Sequence, residues 1–186
     1  SIKYLKILIL SVSVVLRFRF VFLKRYDIMT AGAKTMIVTF CGHRDFVKTD
    51  TTEQILTALL ERYAQENDEL ICYCGGCGNF DGFAAECVGQ LKERYQNIRS
   101  YLILPYINPE YLERLGVMKK FYDDTIYPPL ENVPKKYAII RRNEWIVDNA
   151  DVVIACVKYS WGGATKTLQY AKRKKKAIEY LPTFSR

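Results

Sequence analysis

From Met36 the chain alternates short β-rich apolar runs with longer segments whose apolar residues recur at helical spacing. "MIVTFC" (36–41) reads as a buried strand stopped by Gly42. Thr51 then opens a T-x-x-Q capping box with Gln54, and Ile55, Leu56, Leu59, Leu60 and Tyr63 fall on one helical face. The cycle repeats with "ELICYC" (69–74) as strand, "GGCGN" as turn, and 81–95 as a helix faced by Phe83, Ala84, Cys87, Val88 and Leu91. A third strand is expected over 98–106, closed by Pro105, followed by an irregular stretch from 107 to 135 in which Pro128-Pro129 forbids a regular helix. The spacing of Ile139, Ile140, Trp145 and Ile146 predicts a helix over 135–150. "DVVIACV" (151–157) is the next strand, and Gly162-Gly163, the helix "ATKTLQYAKRKKK" and a short strand "AIEYL" complete the pattern. Strands alternating with helices require crossover connections, so the expected fold is α/β: a doubly wound, mostly parallel sheet with helices on both faces.

The 186 residues suit a single domain, and a composition of 49% hydrophobic and 26% charged residues predicts a packed core rather than disorder. The net charge of +8 suggests a nucleic-acid partner until it is located. Seven basic residues and one acid lie in residues 1–35, which carry +6 and leave +2 for the rest. The body is therefore not notably basic, which argues against nucleic acid as the partner. Lys172 to Lys176 reads as a solvated helix end.

Residues 1–35 raise the question of a membrane anchor, but the apolar run Ile7 to Leu16 is ten residues long, against about 20 for a spanning helix. Arg17 and Arg19 interrupt it, and no cleavage signal follows. The segment reads as a disordered extension or upstream read-through, with 36–186 as the folded domain and no membrane partner expected. The six cysteines fall mostly in strand-like runs, which predicts reduced thiols and a cytoplasmic protein.

In open parallel sheets ligands collect at the carboxyl ends of the strands, where helix N-termini point their free N–H groups. Four stretches fall there: Gly42-His43-Arg44, Gly75 to Asp81, Pro105 to Asn108, and Ser160 to Thr165. They are expected to share one crevice. The sulfur-rich stretch "ICYCGGCGNFDGFAAE" (71–86) invites a metal reading, but Cys74-x2-Cys77 has no second pair and His43 is the single histidine, so no metal site is assigned. Cys72 and Cys74 share one strand face, while Cys77 sits in the turn itself. The glycines fit phosphate better, because Gly75, Gly76 and Gly78 permit a sharp turn and close backbone approach. "WGGAT" (161–165) repeats that arrangement and adds the Thr165 hydroxyl, with Trp161 either a packing residue or a stacking surface. Arg44 is suited to bind phosphate bidentately, whereas Arg141 and Arg142 read as surface charges. Asp81 reads equally as a helix cap or a site acid, and Glu86 as a solvated side chain or a site acid.

In order, "CGHR", "GGCGNFDGFAAE", "RRNEWIVDNADVVIAC" and "GGAT" resemble the YpsA-like family of the SLOG superfamily, over residues 36–180. The resemblance implies a Rossmann-like nucleotide-binding fold related to the DNA-processing protein DprA and to the LOG phosphoribohydrolases. By position it makes Gly42, His43 and Arg44 the first ligand loop, and Gly75, Gly76, Gly78 and Asp81 the second. Arg142, Asn143 and Asp148 match its helix motif, Gly162, Gly163 and Thr165 its phosphate turn, and Glu86 the acid closing its second motif. LOG enzymes carry a glutamate in the later glycine turn, whereas "WGGATKTLQY" has no acid there. The expected function is thus binding of a nucleotide or nucleotide-derived small molecule. Hydrolysis of the N-glycosidic bond of a nucleoside monophosphate is the alternative, with Asp81 or Glu86 as the acid, and DprA-like DNA binding follows it. No cofactor is assigned, and a homo-oligomer is left open.

Overall fold

The computed structural model describes residues 32–107 and 121–183. The expected extension over 1–35 therefore lies almost wholly outside the described residues. Six strands, β1 (Thr35–Gly42), β2 (Glu69–Cys74), β3 (Ile98–Ile103), β4 (Asp124–Ile126), β5 (Val152–Cys156) and β6 (Ala177–Tyr180), form one sheet in the order β4-β3-β2-β1-β5-β6. Every neighbouring pair is parallel, with Val38 at the centre opposite Cys72 on one side and Val152 on the other. Among the described residues, helices α1 (Asp50–Glu66), α2 (Asn79–Lys92), α3 (Lys135–Asn149) and α4 (Gly163–Arg173) make the β1–β2, β2–β3, β4–β5 and β5–β6 crossovers.

Strand periodicity divides the core. Cys72 and Cys74 face the layer of α1 and α2, with Leu56, Leu60, Phe83 and Val88. Ile71 and Tyr73 face the opposite way, against Ile146 of α3, while Cys41 and Val153 meet Leu168 and Ala171 of α4. Alternate residues of β2 thus serve opposite helical layers, as a sheet covered on both faces requires. The doubly wound α/β architecture is the one the alternation predicts.

Details depart from the pattern. The capping box of α1 uses Thr49 and Thr52, not Thr51 and Gln54: Thr52 N–H donates to Thr49 Oγ1 at 3.2 Å and Thr49 N–H to Thr52 Oγ1 at 3.1 Å. Thr49, Thr51 and Thr52 offer more than one register for the cap, and the helix starts at Asp50, ahead of the expected cap. Within the irregular stretch lies β4, three residues long and too short to display an alternation. The buried face of α3 is Ala138, Arg142, Ile146 and Val147, whereas Ile139 and Ile140 are 40% and 43% exposed. An arginine holds a core position in that helix, which corrects its reading as a surface charge.

Strand order reverses at β1: the chain runs outward through β2, β3 and β4, then returns to β5 on the other side of β1. This switch point leaves a crevice at the carboxyl ends of β1 and β5.

Candidate functional site

The crevice has a volume of about 450 Å³, within the range of small-molecule sites. Three of the four expected stretches meet there, contributing Gly42 to Asp45, then Gly75, Cys77 and Asp81, and Trp161 to Ala164. Of the fourth, Pro105 to Ile107 line a separate depression, because β3 lies two strands from the switch point, and Asn108 falls outside the described residues.

Arg142 reaches the crevice from α3 with its side chain buried. One terminal nitrogen, Nη1, donates to the carbonyls of Gly75 and of Ile103, the latter at 2.8 Å, and Nη2 approaches Cys77 Sγ at 3.4 Å. These carbonyls lie at strand ends where the ladder stops, so the guanidinium satisfies backbone that would otherwise be orphaned. Its Nε has no hydrogen-bond partner. Beside it stands Asp81 in the first turn of α2, whose Oδ2 accepts the Cys77 N–H at 2.7 Å. A Cβ placed on Gly75 would lie 3.0 Å from that oxygen and 3.1 Å from Arg142 Nη1, so Gly75 is wedged between the two. Burial pushes the Asp81 carboxyl up to about 6, against the opposing pull of the Cys77 N–H and of Arg142.

The opposite wall is aromatic. His43 Nε2 accepts the Tyr159 N–H at 3.0 Å, so this nitrogen is unprotonated, and burial holds the imidazole below its ordinary value against the pull of Asp45. The Tyr159 hydroxyl donates to Asp45 Oδ2 at 3.1 Å. The rings of His43 and Tyr159 lie 4.6 Å apart, and Trp161 stacks on Tyr159 at 5.3 Å and 16° while remaining 70% exposed. Below them Cys41, its thiol pushed to about 12 by burial, donates to the Ala164 carbonyl at 3.1 Å. Asn143 donates to Thr167 Oγ1 at 3.1 Å, tying α3 to α4 at the rim.

Both glycine turns end in the same unusual backbone. Gly78, the N-cap of α2, has φ 103° and ψ 175°; Gly162, the N-cap of α4, has φ 97° and ψ −178°. This region is essentially confined to glycine. A side chain at Gly78 would also meet the Arg44 backbone at 2.8 Å. Neither helix is capped by a side chain from its N-cap residue; the Asn79 N–H that opens α2 donates to the Arg44 carbonyl at 3.1 Å, whereas the N-terminus of α4 presents its backbone N–H groups and positive dipole end.

Of the predicted residues, Gly42, His43, Arg44, Gly75, Asp81, Arg142, Asn143, Gly162 and Gly163 line the crevice. Gly76 and Gly78 shape its turn without lining it. Thr165 is buried and its hydroxyl donates to the carbonyls of Tyr159 and Trp161 at 2.7 and 2.8 Å, so it braces the aromatic wall from behind. Asp148 is exposed and holds Tyr170 and Lys174 at 2.9 and 3.1 Å. Glu86 is exposed on α2, away from the crevice. Sequence reading passed over Asp45, Tyr159 and Thr167; the i, i+2 spacing of Tyr159 and Trp161 was the available signal for a shared wall. All six cysteines are free, and among the described residues no three or more His, Cys, Asp or Glu side chains form a metal-binding group. No helix among the described residues is long and apolar enough to cross a membrane.

Sheet order, crossovers and crevice together define a Rossmann-like α/β domain open at its switch point. No protein-family model matches the chain, and no curated protein matches it. Among solved structures it is similar to DNA processing protein A from Helicobacter pylori, described with a single-stranded DNA binding mode. That likeness has TM-score 0.55 and 19% identity over 81% of this chain and 67% of the other. The DprA structure from Streptococcus pneumoniae gives TM-score 0.56 and 18% identity over 81% of this chain and 54% of its own. The Moco carrier protein from Chlamydomonas reinhardtii gives 0.50 and 15% over 81% and 78%. At these identities the likeness is one of fold.

Proposed function

We propose that this chain is a YpsA-like member of the SLOG superfamily that binds a nucleotide or nucleotide-derived ligand in the cytoplasm. The phosphate lies on the N-terminus of α4 and the base against the exposed face of Trp161. The observation that carries this reading is the pairing of an uncapped helix N-terminus at Gly162 with a stacked aromatic wall at the switch point. A phosphate needs N–H donors and a positive potential, which the helix end and Arg44 supply; a base needs a planar apolar face, which Trp161 supplies. The fold does not choose among functions, since its relatives include a described single-stranded DNA binder and a cofactor carrier.

A second reading is supported by Asp81. A carboxyl at about 6 that lines a crevice is poised to give or take a proton near neutrality, as hydrolysis of an N-glycosidic bond demands. Glu86 is too far from the crevice to share that role.

The test is a thermal-shift and fluorescence screen of nucleotides against the full chain. Ligand at 100 times Kd stabilises the native state by about 2.7 kcal/mol, or roughly 5–10 °C in a chain of this size. Quenching should be lost in Trp161→Ala. No shift with any nucleotide would overturn the binding reading. Free base released from a nucleoside monophosphate, and abolished in Asp81→Asn, would establish the hydrolase. Binding of single-stranded DNA with no response to mononucleotides would favour the DNA reading.

A further inference from the structure

Cys77 lines the crevice from the turn between β2 and α2, and the nucleotide reading gives it no role. It is half-buried, whereas the other five cysteines are buried. Two of those five also border open space, Cys41 on the crevice and Cys156 on a separate cavity of about 670 Å³. Both act there as hydrogen-bond donors, Cys41 to the Ala164 carbonyl at 3.1 Å and Cys156 to the Pro182 carbonyl at 3.7 Å. Cys77 Sγ instead accepts, from Arg142 Nη2 at 3.4 Å. The guanidinium supplies an independent observation. Arg142 is 1% exposed, its Nη1 is engaged by the Gly75 and Ile103 carbonyls, and its Nε has no hydrogen-bond partner. Nε and Nη2 share one edge of the planar guanidinium, the fork through which arginine holds oxygen acceptors. At Cys77 that edge meets sulfur, a weak acceptor, so a buried cationic donor is left underused.

We propose that Cys77 is a site of oxidation by hydrogen peroxide, with Arg142 holding the oxygen of the resulting sulfenic acid. The modification does not depend on the nucleotide reading of the crevice. In the step, the Cys77 thiolate attacks one peroxide oxygen, so that an S–O bond forms as the O–O bond breaks. Sulfur gives up two electrons to the peroxide, and the second oxygen leaves as hydroxide, which becomes water with the proton lost from the thiol. The oxygen now on sulfur is the acceptor that the Nε and Nη2 edge lacks. The Cys77 N–H to Asp81 bond at 2.7 Å fixes the turn and keeps the sulfur beside the guanidinium. A sulfenic acid is consumed when a second thiol condenses with it. Cys41, the other thiol on the crevice, commits its proton to Ala164, and desolvation pushes it up to about 12, so it does not act as that partner.

The experiment treats the full, reduced chain with hydrogen peroxide in the presence of dimedone, which captures sulfenic acids, and maps the adduct by peptide mass spectrometry. Cys77 should carry about tenfold more adduct than any other cysteine, the margin one charge-assisted hydrogen bond supplies. Cys77→Ser should abolish that adduct and leave the other five thiols as unreactive as before. Without dimedone, the Arg142 Nε–H resonance in arginine side-chain NMR should move as peroxide is added to the native chain and stay fixed in Cys77→Ser. No adduct, or adduct spread evenly over the cysteines, overturns the inference. So does a Cys41–Cys77 disulfide formed in its place, or an Arg142 resonance that ignores the oxidation.

Discussion

Replacing Asp81 by asparagine should stabilise the protein above pH 7 and leave it nearly unchanged near pH 4. Desolvation at the base of the crevice pushes the carboxyl up to about 6 from an ordinary value of 3.8. Raised folded-state affinity for the proton means that stability is highest when both states are protonated, falls as pH rises from about 4 to 6, and is flat above. The full cost of keeping this carboxylate ionised in place is about 3 kcal/mol, since each pH unit of separation corresponds to about 1.4 kcal/mol. Asparagine mimics the neutral acid in shape and still offers an oxygen to the Cys77 N–H, so it avoids that cost. Urea denaturation of both proteins at pH 4 and pH 8 measures the difference. The expectation is a gain of about 3 kcal/mol at pH 8, roughly 6–12 °C in Tm, shrinking below about 1 kcal/mol at pH 4. Equal effects at the two pH values, or a loss at pH 8, would refute the account of Asp81 as a desolvated acid and favour a purely structural carboxylate.

Arg142→Met should cost about 3–5 kcal/mol by chemical denaturation, because it strands the Gly75 and Ile103 carbonyls beside a buried acid, and Arg142→Lys should recover little of it. His43 is the chain's single histidine, so its NMR titration is unambiguous; the midpoint should lie below 6.5. Stability from its bond to Tyr159 should be complete above 6.5 and lost as pH falls through that depressed midpoint, with the Tyr159 amide resonance moving in step. Gly78→Ala should lose about 1–3 kcal/mol in thermal or urea unfolding, since φ 103° and the Arg44 backbone at 2.8 Å both oppose a Cβ.

Local patterns carried far where burial and periodicity coincide. β2 was predicted at Glu69–Cys74 and occupies those residues, and all five residues expected to face the core from α2 are buried. They carried less far in α3, where the adjacent pair Ile139 and Ile140 pulled the apolar face away from Arg142. Nothing local distinguishes a buried arginine from a surface one. Its partners are carbonyls 67 and 39 residues away in sequence, and only the assembled sheet brings their strand ends beneath α3. Thr165 illustrates the converse: a hydroxyl in a glycine turn suggests phosphate, yet the fold aims it backwards at the Tyr159 and Trp161 carbonyls. Residue types near the crevice were legible; the direction in which each polar group is committed was not.

That distinction separates two glycine turns which look alike in the sequence. Both end in a glycine of nearly identical, glycine-specific backbone and both open a helix toward the switch point. The α2 turn is already engaged: its Cys77 N–H is taken by Asp81, the Asn79 N–H donates to the Arg44 carbonyl at 3.1 Å, and Arg142 is spent on Gly75 and Ile103. An incoming phosphate there would face the chain's own carboxylate, and two like charges about 4 Å apart repel by about 4 kcal/mol at an effective dielectric near 20. The first turn of α4 holds no acidic residue. On the nucleotide reading proposed above, a phosphate would go to Gly162 and Gly163, and the sulfur-rich turn would act through Asp81, as a proton-binding neighbour rather than as the cradle.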